Sequence, residues 1–405
     1  MNCKQRIGER IYWTSVNDRR KQLFENIWPL PNGVSYNSYL IRDEKCALMD
    51  TVESGSDRSY ADWVSESLDG RPLDYLIIHH MELDHSGEIE NLVQRYPDVK
   101  IVGNCKTFRV LEAYFGKRDN LIEVKDGDTL SLGYHNLKFV FTPWVHWPET
   151  MMTFDQTDGV LFSGDAFGMF GALDGGVYDD QTDFAFYEDE MRRYYSNIVG
   201  KYSPMVQKAL AKLRDYPIRT ICPLHGLVWR TDPCKVIGLY DRWSSYQGED
   251  GVVVIYASMY GNTAQMADYI ARRIAEAGVK KVRVHDVSKT HISYLINDIW
   301  RYKGVVLGSC AYNLQMFPLM ENLTRELLHM GVKERLLGIF GTYSWNGGGV
   351  KNLNAFAEEI GRPPRRSWGI PSPEKRRPAM RWLRRWPPGC SGRVWYCRSV
   401  VLKKR

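Results

Sequence analysis

The 405 residues contain no CxxC pair: eight cysteines stand apart at positions 3, 46, 105, 222, 234, 310, 390 and 397. That spacing excludes a zinc ribbon and a rubredoxin-type iron site, and it fits reduced thiols in a cytoplasm better than a disulfide framework. No apolar run approaches the ~20 residues that cross a bilayer. The opening MNCKQRIGER carries charge without a following apolar stretch, so no signal peptide is read there. Internal repeats are missing as well. Strong charge of one sign is confined to the end of the chain. The net charge is +6, yet residues 362–405 hold 14 of the 54 Lys and Arg and one of the 48 Asp and Glu. The rest is mildly acidic, which argues against nucleic acid as a partner.

Ordinary globular composition, 44% hydrophobic and 25% charged, accompanies this length and predicts two or three domains. In the first part, IYWTSV, SYNSYLI and CALMDTV read as strands, RSYADWVSESL as a helix and LDYLIIHH as a buried strand. EIENLVQRY is next as a helix and VKIVGN as a strand, before a second β series of TLSLGY, LKFVFTP, MMTFD and GVLFSGD. This grammar predicts an αββα sandwich over residues 1–248, ending in a short helix and linker. From Gly251 the pattern becomes GVVVIYAS, NTAQMADYIARRIAEAG, KVRVHDV, GVVLGS and LLGIFGT. Strands alternating with helices predict a doubly wound parallel sheet over 249–361.

The densest chemistry is His79-His80-Met81-Glu82-Leu83-Asp84-His85, directly after a buried strand. His80, Glu82, Asp84 and His85 are four candidate metal ligands within six residues. A solvated polar loop is the plain alternative, but so many titratable groups beside a buried strand are costly without a partner. Neighbouring side chains at 84 and 85 are expected to point apart, which suits two metals. His146, Asp165 and His225 stand at further strand ends. Each alone is weak; together they complete a dinuclear set. His79, His135, His285, His291 and His329 lack that context.

The second constellation is three loops at strand ends. Ser258-Met259-Tyr260-Gly261-Asn262-Thr263 opens a helix with hydroxyls and backbone N–H groups, a cradle for phosphate. It has neither the lysine of GxxxxGK[ST] nor GxGxxG, so a flavin mononucleotide (FMN) suits it better than a triphosphate or dinucleotide. A Ser/Thr-capped turn is the alternative for this loop by itself. Ser309-Cys310-Ala311-Tyr312-Asn313 and Thr342-Tyr343-Ser344-Trp345-Asn346-Gly347 add aromatic and small residues that suit a flat ring system.

HxExDH followed by single His, Asp and His resembles the metallo-β-lactamase superfamily, with Glu82 where its zinc hydrolases usually carry His. Four imidazoles with three carboxylates suit redox iron, whereas zinc cannot change oxidation state. Fused to a flavodoxin-like domain, the pattern resembles the flavodiiron proteins, or A-type flavoproteins, over ~360 residues. The resemblance implies one iron on His80, Glu82 and His146, another on Asp84, His85 and His225, and Asp165 bridging. It implies reduction of O2 to water or of NO to N2O at the diiron centre itself, with electrons passed through FMN. It also implies a cytoplasmic head-to-tail homodimer or dimer of dimers, and a separate donor such as a rubredoxin. No dedicated acid or base is assigned. A zinc hydrolase with an appended flavodoxin domain is the alternative, and a non-catalytic electron carrier the third reading. Metal analysis and an optical spectrum separate the three.

The ending departs from this pattern. A flavodoxin-like sheet needs a fifth strand and a last helix after Ile360, but Pro363, Pro364, Pro371 and Pro373 interrupt the segment where they would lie. Its Arg, Pro, Trp, Cys and Gly content is that of an out-of-frame translation of GC-rich DNA, so residues 362–405 are read as a basic tail created by a frameshift near 361. They are predicted not to supply the native strand and helix. Retranslating the coding DNA beyond codon ~361 should restore an apolar strand and an acidic amphipathic helix in one of the other frames. If neither frame does so, the tail is genuine.

Overall fold

Short apolar runs separated by turn residues build two sheets in the first part of the chain. The structure is a computed structural model and describes residues 5–57, 59–361 and 398–401. Two units divide the chain, Met1–Ser245 and Tyr246–Arg405. The first is an αββα sandwich. Its seven-stranded sheet runs in the order Gln5–Arg6, Ile11–Trp13, Tyr39–Arg42, Cys46–Met49, Tyr75–Ile77, Lys100–Gly103, Leu121–Glu123. The last four are parallel, since the helices Tyr60–Leu68 and Ile89–Arg95 each return the chain to the same end of the sheet. The second sheet comprises Thr129–Ser131, Asn136–Phe141, Met151–Asp155, Val160–Phe162 and Thr220–Cys222, antiparallel until its final parallel pair. Tyr39 of one sheet meets Phe162 of the other with ring centroids 5.6 Å apart.

Two of the expected strands are broken. IYWTSV divides into Ile11–Trp13 and Val16–Asp18, and SYNSYLI into Val34–Tyr36 and Tyr39–Arg42. The break is enforced by buried Asn37. Its side chain accepts from Trp13 Nε1 at 3.1 Å and donates to the carbonyls of Pro223 and Gly226 at 2.9 and 2.8 Å. These bonds replace ladder pairing, and Val16–Asp18 with Val34–Tyr36 forms a separate two-stranded sheet.

The second unit has the order Val282–Asp286, Glu249–Ala257, Tyr302–Tyr312, Leu336–Thr342, all parallel. The helix Asn262–Glu276 lays Met266, Ala267, Ile270 and Ile274 on Val254 and Phe340, the apolar stripe its sequence displays. Beyond Leu336–Thr342, the segment Arg398–Val401 pairs antiparallel to it, Leu336 opposite Val401 and Ile339 opposite Arg398. These four residues pair in the antiparallel sense and are not the parallel fifth strand of a doubly wound sheet, which the tail was expected not to supply. An open sheet edge accepts any extended segment through backbone bonds alone, here in the antiparallel sense. The remainder of 362–405, including the place of the expected last helix, lies outside the described residues. Among the described residues no helix is long and apolar enough to cross a membrane.

Arg335, 1% exposed, ties the second unit together. Its guanidinium donates to the carbonyls of Ile299 at 2.8 Å, Tyr246 at 2.7 Å and Trp300 at 2.5 Å. Arg335→Met is expected to remove these three charge-assisted hydrogen bonds and to lower stability by about 3 kcal/mol. Urea unfolding of the full chain checks this; an unchanged midpoint contradicts the role.

Candidate functional site

Four strand ends of the sandwich deliver the seven titratable residues singled out in the sequence. His80 leaves Tyr75–Ile77, and Glu82 begins the one-turn helix Leu83–Ser86 that carries Asp84 and His85. That turn is held down by Thr51, whose N–H and hydroxyl both reach the His85 carbonyl at 2.8 Å. A Cβ at Gly87 would lie 2.5 Å from Ser54 N, so glycine permits the turn to seat on the preceding loop. His146 follows Asn136–Phe141, Asp165 follows Val160–Phe162 and His225 follows Thr220–Cys222.

The seven fall into two groups, His80 with Glu82, His146 and Asp165, and Asp84 with His85 and His225, one donor atom from each lying within 4.8 Å of the others in its group. Asp165 touches both groups. Its Oδ2 is 3.4 Å from His80 Nε2 and 3.2 Å from His146 Nε2, while Oδ1 is 3.1 Å from His85 Nε2. Glu82 Oε2 lies 3.2 Å from the Nε2 atoms of both His80 and His146. Contrary to the expectation that they point apart, Asp84 and His85 share one group, Oδ2 to Nε2 3.2 Å. On a helical turn they are roughly 100° apart, and the longer imidazole reaches back over the carboxylate.

These atoms fit metal ions better than they fit one another. His85 Nε2 and His225 Nε2 face each other at 2.9 Å, although two neutral imidazoles share one proton there at most. Both Asp84 oxygens, His146 Nε2 and Asp165 Oδ1 are buried without an aligned hydrogen bond. Without a metal the charges compensate differently. Burial alone pushes the His85 imidazole down, but Asp84 and Asp165 outweigh it and carry it up to about 10. His146 is likewise pushed down by burial and carried up to about 9 by Asp165 and Glu82. Burial pushes Asp165 up, and His80 and His85 hold it well below the carboxylate range.

Several neighbours carry no signal in the sequence. Glu149 Oε1 lies 2.9 Å from His80 Nδ1; only its position three residues after His146 hints at a role. Burial and the Glu82 charge lift the Glu25 carboxyl to about 7, from a loop without any motif. The buried Tyr194 ring lies 5.4 Å from that of His225. His79, set aside as a ligand, is engaged by Asp50 and Thr153 through its two ring nitrogens. His135 stands with Asp155 and Asp158 in a third group, but Asp155 accepts the N–H groups of Thr157 and Asp158 and closes a turn instead.

The three loops of the second unit meet at the carboxyl ends of its strands. Thr263 and Thr342 join the first to the third through their hydroxyls at 2.8 Å. The second abuts the third so closely that a Cβ on Gly348 would lie 1.9 Å from the Leu314 carbonyl oxygen. Gly261, at φ +91°, turns the first loop into its helix, and its N–H donates to Ser258 Oγ. Tyr260 and Trp345 are 91% and 84% exposed, with Met259 and Tyr312 also exposed. Such rings in solvent on adjoining loops leave apolar faces that a flat ligand would cover. Asn262, Asn313, Ser344 and Asn346 are exposed, Ala311, Tyr343 and Gly347 half-buried. Ser309 and Cys310 are buried, and the Ser309 hydroxyl is occupied by Phe317 N–H and the Cys310 carbonyl. The Ser309 side chain thus serves the loop rather than its open face.

Residues 34–226 match the ODP family beta lactamase, and residues 254–362 match Flavodoxin. The chain is 32% identical over 361 residues to the anaerobic nitric oxide reductase flavorubredoxin of Escherichia coli O1:K1 / APEC, covering 88% of this chain and 75% of that protein. It is similar to the structure of rubredoxin oxygen:oxidoreductase from the anaerobe Desulfovibrio gigas, at 29% identity and TM-score 0.84, covering 88% and 90% of the two chains. The flavodiiron protein from Giardia intestinalis matches at 26% identity and TM-score 0.82, covering 88% and 87%.

The raised imidazoles set the pH behaviour of metal-free protein. A folded pKa above the unfolded value of about 6.5 contributes stability that is full below that value and is lost as pH climbs through about 9 and 10. Metal-free protein should therefore lose stability from about pH 7 to 10. Metal-loaded protein should not, because the metal replaces those protons. Urea midpoints across this range check it, and a flat profile for the metal-free form contradicts it.

Proposed function

The chain belongs to the flavodiiron proteins, and from that premise we propose that it reduces O2 to water and/or NO to N2O at a non-haem diiron site fed by FMN. Asp165 carries this reading: one carboxylate whose two oxygens face two separate ligand groups is the arrangement a bridged metal pair requires. His80, Glu82 and His146 would hold one iron, Asp84, His85 and His225 the other. Two irons held there would supply Lewis-acid stabilisation and reversible one-electron changes.

The chain's own residues prepare the chemistry. Three carboxylates offset most of the charge of a ferrous pair, and Glu82 gives the first position an oxygen where a third imidazole would favour zinc. Asp84, Asp165 and all four histidines are buried, so water is thinned around them and each charge acts at greater strength. In the second unit, Ser258 to Thr263 would cradle the FMN phosphate at a helix N-terminus. Loops 309–313 and 342–347 would bound the ring, with Tyr260, Tyr312 and Trp345 offering faces. A zinc hydrolase would leave those loops without a redox partner.

Electrons would come from a rubredoxin-like donor, in keeping with the chain's similarity to a flavorubredoxin and to a rubredoxin oxygen:oxidoreductase. A cytoplasmic head-to-tail homodimer or dimer of dimers, with one chain's FMN serving its partner's metal centre, completes the reading.

Anaerobically prepared protein is expected to hold two irons and one FMN per chain; stoichiometric zinc without iron overturns the proposal. Asp165→Ala should lower turnover of both gases by at least about 100-fold, more than a supporting residue costs. Stopped-flow reoxidation of the reduced protein by O2 and by NO then separates the substrates. If neither gas reoxidises it faster than free flavin, the reductase reading fails.

A further inference from the structure

The two ligand groups differ in what stands behind their imidazoles. His80 Nδ1 lies 2.9 Å from Glu149 Oε1, and the Glu149 side chain is fully buried. His225 Nδ1 faces the neutral Ser35 carbonyl at 2.8 Å. His85 Nδ1 is buried without a hydrogen-bond partner. Glu149 is fixed independently of any metal. Its Oε1 also accepts Met81 N–H at 3.1 Å, and its carbonyl accepts Asn104 Nδ2 at 2.6 Å. Asn104 Oδ1 in turn caps the helix Cys105–Phe115 through Lys106 N and Thr107 N.

A carboxylate bonded to the far nitrogen of a ligand imidazole fixes its tautomer and raises its basicity. The carboxylates are unevenly divided between the two sides. The position of His80, Glu82 and His146 has Glu82, a share of Asp165, and Glu149 one ring away. The position of Asp84, His85 and His225 has Asp84 and a share of Asp165. Buried negative charge favours the higher oxidation state of the nearer metal, and it acts strongly where solvent is excluded.

We propose that Glu149, acting through His80, makes the two iron positions unequal, so that the iron on His80, Glu82 and His146 keeps the ferric state while its neighbour is reduced first. Resting on the diiron reading above, this names a positioning residue that tunes the site. Starting from two ferric ions, the first electron enters at the Asp84, His85 and His225 position and the second at the His80 position. Both come from the flavin or, in a titration, from dithionite. No bond is made or broken, and the half-reduced pair is the favoured one-electron state.

The test is a redox titration of iron-loaded full-length protein followed by the EPR signal of the half-reduced iron pair. Its intensity yields the comproportionation constant, the preference for the half-reduced pair over a mixture of oxidised and fully reduced pairs. Glu149→Gln keeps the shape and an acceptor for His80 Nδ1 but removes the charge. It should raise the second potential more than the first and lower the constant at least tenfold, equivalent to about 59 mV for one electron. Glu149→Asp keeps the charge but draws it back, and should lower the constant by a smaller factor. An unchanged constant in iron-loaded Glu149→Gln overturns the proposal, as does an effect of Glu149→Asp equal to or larger than that of Glu149→Gln, which would mean packing rather than charge. If Glu149→Gln takes up no iron, Glu149→Asp decides alone, a fall supporting the proposal and an unchanged constant overturning it. Wild-type protein that holds no iron overturns the diiron reading and this inference with it. A wild-type signal with unchanged variants overturns this inference only.

Discussion

Everything in the sandwich unit answers to one constraint: three carboxylates and four imidazoles are collected at a single buried point. Ionised carboxylates are expensive to bury unless opposite charge compensates them. In the metal-free chain that compensation is protonated imidazole, visible in the raised values of His85 and His146. Two cations would supply it better, since they satisfy Asp84 and Asp165 oxygens that no hydrogen bond reaches. The site is therefore preorganised for metal at the expense of its own stability.

Supporting such a cluster takes rigid elements on every side. Each ligand sits within a few residues of a strand end or on the short turn that Thr51 clamps, so backbone pairing sets its position before any metal arrives. Buried polar residues then join the layers: Asn37 connects the first strands to the loop bearing His225, and His79 joins Asp50 to Thr153 of the second sheet. The irregular breaks at Asn37 are thus part of how the two sheets present ligands to one point.

The flavodoxin-like unit solves the opposite problem. Instead of burying charge it keeps aromatic rings in solvent, held ready on loops braced by a threonine pair and by a glycine that lets two backbones touch. Its sheet edge accepts Arg398–Val401 in the antiparallel sense, although nothing in the composition of the tail resembles the strand that a doubly wound sheet normally places there. Edge pairing needs extended backbone, not a particular face, and so tolerates it.

What the sequence determined by itself is what local chemistry determines. Strand and helix periods separated the two folds. The run from His80 to His85 could not be an idle loop without leaving titratable groups unpaired. Glycine and hydroxyl residues at Ser258–Thr263 marked a phosphate cradle. The family resemblance implied which ligands share a metal, and tertiary structure decided how their atoms meet. Asp84 and His85 were expected to diverge, and a helical turn closed by Gly87 makes them converge. Asp165 became the shared carboxylate because the second sheet brings its oxygens between two groups that the first sheet starts. Glu149, Glu25 and Tyr194 were invisible because their roles depend on distance and burial. A carboxylate one ring behind a ligand, a carboxyl lifted by a neighbour's charge and a phenol packed on an imidazole have no spacing in the chain to announce them.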